Sequence, residues 1–252
     1  MRYSAPPPRG STAPLSLHVP ALNYHKVGEI PDGTRHPENY VRPEQFRAQL
    51  KWLRAAGYNS VTVSQYLAYR RGSYLMPPRP VMLTFDDGYL SNYDVALPIA
   101  RELGYSATVF IVSGMLGRTN VWDDDIQEPL LSVNHIRELQ SQGFEFQSHT
   151  RTHQRLTEIP SPDARSELAQ SREELEQTLG TPVNAIAYPW GRHDKSIERL
   201  AEETGYEGGF SVRRRVNFEN TPIYALRRIG VNYKTSLTRF AWDLFRLKWR
   251  GE

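Results

Sequence analysis

The 252-residue chain has no cysteine, so neither a disulfide framework nor thiolate chemistry is open to it. Long apolar runs are missing as well. The longest near-apolar stretch, ATVFIVSGMLG (107–117), is too short to span a bilayer, and the opening MRYSAPPPRGSTAPL lacks the apolar core of an export signal. The expectation is a cytoplasmic protein, or an exported one whose signal is missing from this chain. Charge of one sign is scarce too: 31 Lys and Arg stand against 28 Asp and Glu, a formal net charge of +3. Outside SVRRRV and the C-terminus the basic residues are dispersed, which argues against nucleic acid as the main partner.

What is present is an ordinary soluble composition, 39% apolar and 23% charged, with generous aromatics. Residues 1–18 are rich in Pro, Ser and Gly and read as a flexible leader. A single domain is expected over 19–240 and a helical tail over 241–252. In the C-terminal SLTRFAWDLFRLKWRGE (236–252) Phe240, Leu244 and Leu247 share one side, with Arg239, Arg246, Lys248 and Arg250 among the charges. The expected role is a cap on the domain, with contact to a membrane surface as the alternative.

Between these ends strands and helices alternate. VPALNYH (19–25), PVMLTF (80–85), SATVFIV (106–112), FEFQSH (144–149), NAIAYP, GGFSV and ALRRIGV read as strands. Helices are expected at 43–57, 92–104, about 133–142, 161–180 and KSIERLAEETG. The alternation implies an α/β fold, a distorted (β/α) barrel of about seven parallel strands; an open doubly wound sheet is the alternative.

Polar residues interrupt this pattern where strands end. PVMLTF runs into Asp86 and Asp87, two adjacent carboxylates that need a cation or donors unless they are merely a solvated turn. FEFQS runs into HTRTH, placing His149 and His153 four residues apart, a spacing that in a helical turn lets both imidazoles share a metal. YPWGRHD (Tyr188 to Asp194) follows a third strand, and His25 ends a fourth. In a barrel these four clusters converge on one face. Two histidines and one carboxylate make an open metal site with room for water and substrate.

TFDDGY, SHTRTH and YPWG, in that order, make the chain resemble the polysaccharide deacetylase family, the NodB-homology carbohydrate esterases of family 4, over roughly residues 19–240. NVWDD (120–124) resembles a further segment of that family. The resemblance implies that Asp87, His149 and His153 bind a divalent metal, usually zinc, and that Asp86 is the general base. It also implies that a backbone N–H in the third motif, that of Trp190, holds the oxyanion. Tyr188, Pro189, Arg192 and Trp122 complete the expected substrate side. Two departures stand out. Ala187 occupies the position at which many members carry an arginine that steadies the base, so either Arg192 or another residue replaces it or the base is held differently. The family's C-terminal histidine, the general acid, is absent, because no histidine follows His193.

LNYHKV at the other end resembles the first strand of a circularly permuted branch, the deacetylases of poly-N-acetylglucosamine. His25 is therefore the expected acid, on the face opposite Asp86; a core histidine satisfied by a backbone carbonyl is the alternative. His18, His36, His135 and His193 are expected to be ordinary surface or loop residues. The implied function is hydrolysis of N-acetyl groups on a GlcNAc-containing polysaccharide. Another acyl or cyclic amide substrate, or a carbohydrate-binding pseudoenzyme, is the rival reading.

Overall fold

The computed structural model describes residues 17–249; residues 1–16 of the expected leader and 250–252 of the expected tail lie outside the described residues. The elements are β1 (Ala21–Tyr24), β2 (Lys26–Val27), β3 (Tyr40–Val41), α1 (Pro43–Ala55), β4 (Asn59–Ser60), α2 (Val63–Arg70), β5 (Pro80–Phe85), α3 (Leu97–Glu102) and β6 (Thr108–Ile111). They continue with α4 (Val133–Ser141), β7 (Glu145–Ser148), α5 (Ser161–Leu179), β8 (Ala185–Ala187), α6 (Lys195–Glu203), β9 (Gly208–Phe210), β10 (Ile229–Gly230) and α7 (Leu237–Trp249).

One parallel sheet runs β10–β1–β5–β6–β7–β8–β9, with β4 beside β5. It curls into the expected barrel. The two end strands approach each other through the segment before β10: Leu226 bridges Phe210, and Ser211 N–H donates to the Leu226 carbonyl at 2.7 Å. The first strand of the chain thus lies between β5 and the last strand, the placement a permuted barrel requires.

Side-chain alternation divides the core in two. Leu83, Phe85, Val109, Ile111 and Ile186 pack outward on the helices, while Ala21, Met82, Phe110, Ala187 and Phe210 fill the barrel. Burying side chains of this size contributes about 1.5–3 kcal/mol each. Helix ends follow local chemistry. Thr62 and Gln65 form a capping box on α2, Asp194 caps α6 through the N–H groups of Ser196 and Ile197, and α5 stops at Gly180 with φ 67°.

Two expectations need correction. The helix expected over 92–104 is a π-helical stretch, Asn92–Ala96, followed by α3. Pro98 explains the break, because its ring removes a helical N–H and crowds the carbonyl four residues back. The strand expected over 19–25 ends at Tyr24; β2 leaves the barrel to pair with β3, so His25 sits at the joint. The C-terminal helix begins at Leu237, with Phe240 and Leu244 buried in the core and Trp242 and Phe245 exposed. No helix among the described residues is long and apolar enough to cross a membrane.

Candidate metal centre and catalytic groups

The loops after β1, β5, β7 and β8 leave the C-terminal ends of their strands and meet, which is where a parallel barrel gathers reactive groups. The turn after β5 is tight: Asp87 has φ 70° and Gly88 φ 75°. Glycine suits this position: its φ of 75° is unfavourable for a side chain, and a Cβ there would lie 2.7 Å from Ile111 Cδ1 unless that side chain moved. An aspartate in the left-handed region is strained, and such strain collects at functional sites.

His149 and His153 do not lie on a helical turn as expected. Thr150 and His153 have φ near 66° and 65°, and the loop is folded by Glu167 of α5, which accepts from the N–H groups of Arg151 and Thr152 at 3.0 and 2.8 Å. The two imidazoles still converge. His149 Nε2 lies 3.2 Å and His153 Nε2 3.3 Å from Asp87 Oδ1, and all three side chains are buried. The donor atoms of the three lie within 4.8 Å of one another.

These donors fit a divalent cation. Asp87 Oδ1 is a buried oxygen without a hydrogen-bond partner, the condition that a cation relieves. His149 Nδ1–H donates to the Ala187 carbonyl at 2.7 Å, which turns the Nε2 lone pair toward Asp87. Burial tends to raise the Asp87 carboxyl, but His149 and His153 beside it hold it well below the usual range. Burial likewise lowers His153, which leaves it a neutral imidazole. Burial also opposes the charged form of His149, but Asp86 and Asp87 prevail and raise it, so a proton competes with a cation at Nε2.

Asp86 has a separate setting. Arg228, fully buried, grips both its oxygens, Nη1 to Oδ1 at 2.6 Å and Nη2 to Oδ2 at 2.8 Å. The guanidinium is further fixed by Ser211 O and Asn23 Oδ1, each at 3.1 Å, and lies 5.4 Å from the Phe110 ring centre. Burial pushes the Asp86 carboxyl up, but the charge of Arg228, then of His149 and His25, outweighs it and holds the group below its ordinary value. Arg228 was not singled out from sequence. Its one signal was a second arginine inside the strand-like ALRRIGV. Arg192, the named candidate for this role, lies instead 3.8 Å from Glu158.

His25 Nε2 lies 3.9 Å from Asp86 Oδ2 with its side chain 28% exposed, so it stands beside Asp86 and not across the pocket as expected. Trp122 is stacked on His153 at 4.4 Å, and Trp190, with φ 60° and 41% exposed, meets the same imidazole edge-on at 5.6 Å. An open cavity of about 400 Å³ adjoins them, lined also by Arg155 and Glu158. Pro189 is buried beneath this loop. The Tyr188 side chain belongs to the core: it is fully buried and its hydroxyl donates to the Tyr224 carbonyl at 3.0 Å, so it does not face a substrate as expected. Of the histidines expected to be incidental, His135 caps α4 with Ser132, His193 lies 3.1 Å from Glu198, and His36 pairs with Glu38.

A family model described as polysaccharide deacetylase matches residues 73–209. The poly-beta-1,6-N-acetyl-D-glucosamine N-deacetylase of Staphylococcus epidermidis is 25% identical over 246 residues, covering 89% of this chain and 83% of the relative. A solved polysaccharide deacetylase from Bacillus cereus superposes with a TM-score of 0.78 at 26% identity, covering 91% of this chain and 69% of that one. A Streptococcus pyogenes deacetylase solved with acetate shares the fold, with a TM-score of 0.79 at 23% identity over 92% of this chain and 99% of that one. The family match spans Asp86, Asp87, His149, His153 and the YPWG loop; His25 and Arg228 lie outside it.

Proposed function

The chain belongs to the polysaccharide deacetylase family, and from that premise we propose that it hydrolyses N-acetyl groups on a GlcNAc-containing polysaccharide. In this reading Asp87, His149 and His153 hold a divalent ion, zinc by family resemblance. When bound, such an ion polarises an acetamide carbonyl and acidifies water. The observation that carries the reading is the pairing of two unlike carboxylates: Asp87 faces two imidazoles through an unpartnered oxygen, while Asp86 is kept ionised by Arg228.

Asp86 takes a proton from the attacking water as the C–O bond forms. Arg228 occupies one lone pair on each carboxylate oxygen, leaving others to accept it. The C–N bond then breaks as His25 protonates the leaving nitrogen, giving acetate and a free amine. At 3.9 Å from Asp86, His25 can reach the same reacting centre. The Trp190 N–H is assigned to the oxyanion, and the Trp122 and Trp190 rings flank the sugar.

His25→Ala is expected to lower kcat by about 10²-fold with metal content unchanged, read by acetate release and metal analysis; unaltered kinetics would remove the acid role. Arg228→Gln leaves the Asp86 carboxylate buried and unpaired, at a cost of about 3–5 kcal/mol in denaturant unfolding. It also has a signed pH effect. Asp86 acts only when ionised, so activity falls as pH drops through its pKa. Loss of Arg228 raises that pKa and moves the acid limb of kcat/KM to higher pH. An unmoved limb would show that Asp86 is not the titrating base.

The test of the substrate class is acetate release by metal-loaded protein from β-1,6-linked GlcNAc oligomers, chitooligosaccharides and peptidoglycan. Release from a GlcNAc polymer supports the reading; release from none of them favours a carbohydrate-binding role.

A further inference from the structure

Lys26 follows His25 and is only 3% exposed, yet the reaction assigned above has no use for its ammonium. Its Nζ lies 2.5 Å from Glu128 Oε2 and 3.4 Å from the Tyr40 hydroxyl. It also sits 4.4 Å from the Tyr89 ring centre and 4.7 Å from that of Tyr40. These partners come from three places. Tyr40 is on β3, the partner of the strand that starts at Lys26. Tyr89 closes the Asp86–Asp87–Gly88 turn, and Glu128 belongs to the loop whose Trp122 ring covers His153.

That loop is laced to the same groups. Leu131 N–H donates to Gly88 O at 2.8 Å, Leu90 N–H to Pro129 O at 2.8 Å, and the Tyr89 hydroxyl to Asp123 Oδ2 at 3.3 Å. On its far side Asp125 Oδ2 accepts from the N–H groups of Arg35 and His36 at 3.0 and 3.1 Å, between β2 and β3. The ammonium is thus the point at which the chain carrying His25, the turn carrying Asp87 and the loop carrying Trp122 meet.

Stability alone does not account for a charge here, because a buried ion pair gains little over apolar side chains of the same volume. A charge does something an apolar side chain cannot: the ammonium must meet one carboxylate while lying against two ring faces, and that fixes register. We propose that Lys26 is a positioning residue that uses the Trp122 loop and the turn carrying Tyr89 as anchors to hold His25 in one place about the reacting centre. The proposal rests on the acid role given to His25.

The test is a double-mutant cycle of Lys26→Met and His25→Ala, read by kcat, KM, metal content and thermal melting. Lys26→Met is expected to keep metal and lose about 10- to 100-fold in kcat, with KM changed less, as expected when a catalytic group is displaced by about an ångström. In the His25→Ala background the same change should cost less than about twofold in kcat, because the group it positions is gone. Lys26→Arg should recover part of the lost rate. Glu128→Gln, which leaves the lysine in place, should show a smaller loss with the same dependence on His25, and it serves in place of Lys26→Met if that variant does not fold. A Lys26→Met loss that is equally large with and without His25, or a Lys26→Met variant at wild-type kcat, would overturn the proposal while leaving the acid role standing. Wild-type kcat in His25→Ala would overturn both.

Discussion

Asp87→Ala is expected to abolish metal binding and turnover together. Its Oδ1 is the atom toward which both Nε2 atoms point, and without it two imidazoles remain, too few to hold an ion in a site open to water. Loss of the several kcal/mol that Lewis-acid activation supplies, about 4 kcal/mol, corresponds to a fall of roughly 10³-fold or more in kcat/KM. The variant should still fold, because the substitution removes a buried oxygen that has no hydrogen-bond partner, although alanine at φ 70° and the loss of the carboxylate beside two imidazoles cost some stability. Melting curves make the distinction: added metal should stabilise the wild type by mass action, about 2.7 kcal/mol at a hundred times Kd, and leave the variant unmoved. A variant that keeps both its metal and its rate would exclude Asp87 as a ligand.

Asp86→Asn is expected to separate the two properties that Asp87→Ala removes together. Both Asp86 oxygens face the Arg228 guanidinium and Asp86 is not among the three converging donors, so the metal should remain at wild-type stoichiometry. An amide cannot take the proton of the attacking water, and kcat should fall by about 10²–10⁴-fold. Stability should fall too, because a neutral partner leaves the buried Arg228 charge uncompensated, at a cost of roughly 3 kcal/mol or more. Metal analysis, acetate release and denaturant unfolding on one preparation read all three. A variant with wild-type kcat would mean that another group is the base.

The convergence of Asp87, His149 and His153 was legible in the sequence because their motifs follow buried strands, where an apolar run breaks into Asp-Asp or His-x3-His. The backbone that joins the two histidines was not. Glu167, on the following helix, folds that loop into left-handed turns, and nothing in HTRTH announces a partner so far along the chain. Arg228 was hidden for a similar reason: its bond to Asp86 joins residues 142 positions apart, and a lone arginine in a strand carries no sign of which carboxylate it meets. His25 could be found because the second half of the chain has no histidine after His193, but its position beside Asp86 depends on the pairing of β1 with β5. Among the aromatics, Trp122 and Trp190 flank the site as expected, whereas Tyr188, one residue from Pro189, is turned inward by its bond to Tyr224. Strand β8 ends at Ala187 and Trp190 leaves it at φ 60° inside the Pro189–Gly191 turn, so the alternation of the strand does not carry through to the tryptophan.

In the proposed mechanism one ion, held by Asp87, His149 and His153, works with Asp86 to release acetate. The most direct test is to strip the protein with a chelator and follow acetate release from a GlcNAc oligomer as zinc is returned. The stripped protein should release none, and release should rise linearly and level off at one equivalent of zinc per chain. Release that is indifferent to chelation, or that stays at zero at every loading on every acetylated glycan offered, would contradict that mechanism.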